Sequence, residues 1–132
     1  MSSNKEFNLD NLIYKVLTLN EWEKAQTSGV IITELDIKDG FIHLSTATQL
    51  NATLSLYFAK EESVVLIQVD HSQIHNRLKF EAPIPLGNRS GSFPHYYGDL
   101  NTDAVSQVWH LKRGAFEIPI EVMLQAEQGA NS

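Results

Sequence analysis

The chain has 132 residues, no cysteine and a formal charge of −6, which excludes disulfides, cysteine–zinc sites and a thiol nucleophile. A chain of this length fits one domain with its own apolar core, expected over residues 11–124 with frayed ends at 1–10 and 125–132. Its ten Lys and Arg are scattered among sixteen acids, so it lacks a basic footprint for duplex nucleic acid, while a small anionic ligand needs only a local cluster of donors.

The opening MSSNKEFNLDN has no apolar signal-like run, and no later run approaches a membrane span. A cytoplasmic protein with no membrane partner is expected. Leu12 to Leu17 (LIYKVL) reads as a first strand. Asn20 to Ser28 reads as a helix with Asn20 as N-cap, Glu23 three residues on, and Gly29 as its stop. GFIHLS is a second strand. Alternation along it points Ile42 and Leu44 one way and Phe41, His43 and Ser45 the other.

Thr46 to Phe58 is the clearest helix, with Ala47, Leu50, Leu54, Tyr57 and Phe58 at helical spacing and Thr46 and Gln49 spaced as a capping box. Val64 to Asp70 (VVLIQVD) is apolar on both faces at first, as a covered central strand is. Arg77 to Glu81 alternates, with Leu78 and Phe80 inward. Residues 82–103 hold three of the four prolines and three of the seven glycines, and are expected to form a long irregular loop of the kind that often carries function. Val105 to Leu111 alternates again. Phe116 to Val122 is expected as an edge strand, because Pro119 cannot donate to a ladder. Strands and helices mix without a βαβ rhythm, so the class is α+β.

Three constellations carry possible chemistry. The corner His43–Ser45–Thr46, where a strand runs into a helix, turns free N–H groups toward anything above the strand end and suits a phosphate or carboxylate. Capping by Ser45 and Thr46, with His43 bonded to a carbonyl, is the plainer alternative. GSFPHYYGDL packs aromatics, glycines and His95 around Pro94, which suits either a wall that stacks on a planar ring or a plug over the core. Glu81 shares a strand face with Arg77 and Lys79. It is either one member of a solvated ion-pair face or the group that orients His95. His71 and His75 have i,i+4 spacing but no adjacent acid of the metalloprotease kind, so no metal is expected.

The order IYKVLTLNEW, DGFIHLSTATQ, VVLIQVD, LKFE, FPHYYGDL resembles a widespread family of small bacterial proteins, domain of unknown function 952 (DUF952), from about Leu12 to Ile118. The resemblance implies an ADP-ribosyltransferase-like fold: a split, curved, mostly antiparallel β-sheet, with two principal helices and a cleft for NAD. HLS before a helix is similar to the RNA 2′-phosphotransferases, in which such a histidine and serine lie beside NAD or ADP-ribose; His43 and Ser45 are the matching positions. The superfold's first strand often offers a histidine before a small residue, where this chain has Tyr14 and Lys15. Its late glutamate has His95 as the nearest counterpart.

Two functions follow as expectations. In the first, ADP-ribosyl or related transfer, His43 holds the ribose and His95 or Glu81 acts as base or charge stabiliser. Tyr14, Lys15, Ser45, Thr46, Phe93 and Tyr97 contact NAD, and no metal takes part. In the second, the same cleft is a non-catalytic sensor of a nucleotide or small metabolite.

Overall fold

The computed structural model describes residues 12–58, 60–82, 92–112 and 122. Strand β1 (Leu12–Thr18) leads directly into helix α1 (Leu19–Ser28). The N-cap is Thr18 rather than Asn20: its hydroxyl accepts from Glu21 N–H, and the Glu21 carboxylate accepts from Thr18 N–H. The strand's last residue caps the helix, so no turn separates them. Gly29 closes α1 at φ 84.

A second helix, α2 (Glu34–Asp39), is absent from the sequence expectation. It has a Thr33–Asp36 capping box and ends at Gly40, φ 83. A Cβ on Gly40 would meet nothing within 4 Å, so Gly40→Ala should cost only the left-handed backbone penalty. About 1 kcal/mol is expected, read as a shift in urea midpoint.

The GFIHLS strand is real but divided. β2 (Ile42–His43) and β3 (Ser45–Thr46) flank Leu44 and join different sheets. A 3-10 turn at 47–49 precedes α3 (Leu50–Tyr57). The remaining strands are β4 (Ser63–Asp70), β5 (Leu78–Glu81), β6 (Phe93–Tyr96) and β7 (Val105–Lys112). The four-stranded sheet runs β3-β1-β4-β7 and the three-stranded sheet β2-β6-β5, with every pairing antiparallel. The fold is therefore α+β.

Part of the expected loop is thus a strand. β6 is central in its sheet although it contains Pro94. The Pro94 carbonyl accepts from Leu44 N–H at 3.0 Å. Its missing N–H points to the same side, where the neighbouring chain turns away into the other sheet, so no ladder bond is lost. Residues 83–91, most of the Phe116–Val122 strand and both termini lie outside the described residues.

Two cores sit on the two faces of the large sheet. One joins Ile13, Leu17, Val65 and Ile67 to Trp22 of α1 and to Ile42, Leu44 and Tyr96. The other joins Tyr14, Val16, Val64 and Leu66 to Leu50 and Leu54 of α3 and to Val122. Central β4 is covered on both faces, as its apolar run indicates. Phe80 departs from expectation: it is 44% exposed, while Leu78 packs against the first core. No helix among the described residues is long and apolar enough to cross a membrane.

Candidate functional site

Alternation along β1 puts Lys15 on the same face as Ile13 and Leu17, so its ammonium is carried inward beneath α2. Lys15 is 4% exposed and Asp36 1%. The Lys15 ammonium lies 3.1 Å from Asp36 Oδ2 and donates to the His43 carbonyl at 2.9 Å. Asp36 also accepts from the main-chain N–H of Thr33 and of His43, each at 3.0 Å.

The His43 ring is held at both nitrogens. Nδ1 lies 2.7 Å from Asp36 Oδ1 and Nε2 2.8 Å from Asp39 Oδ2. Only as imidazolium does the ring donate to both carboxylates. Burial alone would raise the Asp36 carboxyl, but the His43 hydrogen bonds, the Lys15 charge and the Thr33 N–H outweigh it and hold the group at about 2.

These groups floor a cleft of about 970 Å³ between α1, α2 and the start of α3. Lys15, Asp36, His43, Ser45 and Phe93 line it, and the half-exposed Ile32, Leu35 and Ile37 give it an apolar wall. The Ser45 hydroxyl, itself buried, is 2.9 Å from that of Thr53 on α3.

A second cluster stands on the outer face of the small sheet. His43 pairs directly with His95, and His95 with Lys79, so these side chains share a face. Phe41 stacks on the His95 ring at 4.0 Å. His95 Nδ1 lies 2.8 Å from Glu81 Oε1, which also accepts from the Tyr97 hydroxyl at 2.7 Å. Those two contacts, Tyr97 first, lower the Glu81 carboxyl, and the carboxylate in turn raises the Tyr97 hydroxyl. Glu81 therefore does orient His95, as one of its two readings has it.

The expected ligand contacts separate accordingly. His43, Ser45, Lys15 and Phe93 share the cleft; His95, Glu81 and Tyr97 do not line it, although His95 adjoins His43 with ring centroids 5.8 Å apart. Tyr14 is not a ligand contact. It is fully buried in the second core, 6.4 Å from the Trp109 ring. Thr46 does not line the cleft either, and its N–H donates to Gln49 Oε1 at 2.9 Å. A capped 3-10 turn therefore replaces the open helix start expected there. Tyr97 has the Lys79 ammonium 5.4 Å from its ring and packs no cleft wall. The rings of His71 and His75 stack at 5.8 Å, and His75 Nδ1 lies 3.1 Å from the Ser72 carbonyl.

Asp36, Asp39 and Phe41 are the site residues that sequence reasoning missed. The available signals were Thr33 three residues before Asp36, as in a capping box, and Asp39 four residues before His43.

The chain matches the model of a family described as protein of unknown function (DUF952) over residues 16–108. It is similar to protein CC0527 from Caulobacter crescentus. The crystal structure of that protein is 30% identical, with a TM-score of 0.73, and the match covers 85% of this chain and 98% of that one. Its solution NMR structure matches at 34% identity and a TM-score of 0.65, covering 77% and 85%. No curated protein matches. With most of its length inside the family model and its fold shared with CC0527, the chain belongs to the DUF952 family.

Proposed function

We propose that this protein is cytoplasmic and binds a nucleotide of the NAD or ADP-ribose type in the cleft, on an ADP-ribosyltransferase-like pair of sheets. One observation carries the reading: His43 and Ser45 line a single cleft from a strand that passes between the two sheets. The resemblance implies that arrangement for a histidine and a serine beside NAD. The His43 imidazolium and the Ser45 hydroxyl supply donors to ribose or phosphate oxygens. Glu21, Glu23, Glu34 and Glu61, against Lys24, line the remaining wall and suit the cationic nicotinamide ring better than the pyrophosphate.

Binding without transfer is the form the geometry favours. Both His43 nitrogens are engaged, and the Glu81–His95 pair, the other candidate acid–base group, does not line the cleft. Calorimetry with NAD and ADP-ribose tests this, alongside an assay for released nicotinamide. Binding without turnover is expected, and steady nicotinamide release would make the protein a transferase. His43→Ala should weaken binding by about 1–3 kcal/mol, measured at a temperature where both proteins are folded, because the substitution also removes two contacts that hold α2. Equal affinity for the two proteins would remove His43 from the site.

A further inference from the structure

We infer that Asp39 stands in for an oxyanion of the ligand, and that a carboxylate or phosphate oxygen takes its place on His43 Nε2 when the ligand binds. This rests on the reading that His43 is a ligand contact.

The two carboxylates on the ring are not equivalent. Asp36 is buried and accepts from the Lys15 ammonium, from the ring and main chain of His43 and from Thr33 N–H. Displacing it would strand the Lys15 ammonium inside the protein, at a steep desolvation cost. The Asp39 side chain is 15% exposed, and its one hydrogen-bond partner is His43 Nε2. It belongs to the last residue of α2, directly before the left-handed Gly40, so one side-chain rotation releases it to water.

The position it vacates faces a ring that the fixed Asp36 still orients. The charge-assisted hydrogen bond is kept only if the incoming atom is also an anionic oxygen. A neutral ligand would exchange a strong contact for a weaker one. Asp39 is therefore an internal competitor, present at the high effective concentration of a tethered group, and it selects for anions strong enough to displace it.

Inorganic phosphate is the probe. It is titrated into the full chain while the His43 ring is followed by its ¹⁵N–¹H NMR signals, assigned by their loss in His43→Gln. Asp39→Ala should bind phosphate roughly tenfold tighter than the parent, the scale of one charge-assisted hydrogen bond released from competition. Asp39→Asn, which keeps the side chain's shape, should fall between the two and reads the same effect if the alanine variant frays α2. Unchanged or weaker binding in both variants, or phosphate moving only the signals of other histidines, would overturn the inference. If phosphate tightens on His43 while ADP-ribose binds no better than phosphate, the role of Asp39 stands and the nucleotide reading fails.

Discussion

Asp36→Asn lowers the unfolding free energy by about 3–5 kcal/mol, the cost of breaking a buried ion pair from one side. The amide keeps the shape and loses the charge. Lys15, 4% exposed, is then left with the His43 carbonyl as its acceptor, and the His43 ring loses the anion on Nδ1. Urea denaturation measures the loss, and a change below about 1 kcal/mol would show that water or rearrangement satisfies the ammonium. Lys15→Met together with Asp36→Leu should recover much of the loss, since apolar replacement of a buried pair is often near neutral.

The same carboxylate sets an acid limit. Its folded value of about 2 lies below its ordinary 3.8, so its contribution is fully present above pH 4 and is lost as the pH falls toward 2. The difference corresponds to about 2 kcal/mol. In Asp36→Asn this part of the acid destabilisation should be missing.

Trp22→Ala is the second large effect, at about 3–5 kcal/mol. Helix α1 buries only Trp22 and Ala25, so nearly all of its apolar anchorage is one indole set among Ile13, Leu17 and Val65 in the first core. Because α1 also walls the cleft, ligand affinity should fall along with the denaturation midpoint. A stable Trp22→Ala with unchanged midpoint would mean that the capping box and Ala25 hold the helix unaided.

The parts of this fold that were legible are those where one side-chain period dominates. Leu12 to Leu17, Val64 to Asp70 and Val105 to Leu111 each show a strand's signature, and Leu50 and Leu54 fix the buried face of α3. Helix α2 was illegible because its pattern is inverted: its only buried residue is Asp36, while Leu35 and Ile37 face outward. A search for an apolar stripe passes over such a helix. The strand at Phe93–Tyr96 was hidden by Pro94, whose lost donor matters only if a partner strand continues opposite it. Within the site, His43 and Ser45 could be found as polar residues on an otherwise apolar strand. Their carboxylate partners could not, because what places Asp36 beside Lys15 is the packing of α2 over β1, which leaves no mark on local spacing. Tyr14 misled for the converse reason, since only its fully buried ring at Trp109 reveals it as core.

The short passage from Ile42 to Thr46 belongs to both sheets, with Leu44 between them bonded to Pro94. A molecule joined in this way has no seam along which to come apart in halves. Releasing the small sheet pulls β3 from β1, and opening that edge removes the platform beneath His43. Melting should therefore be a single cooperative event rather than a sequence of sheet-by-sheet losses.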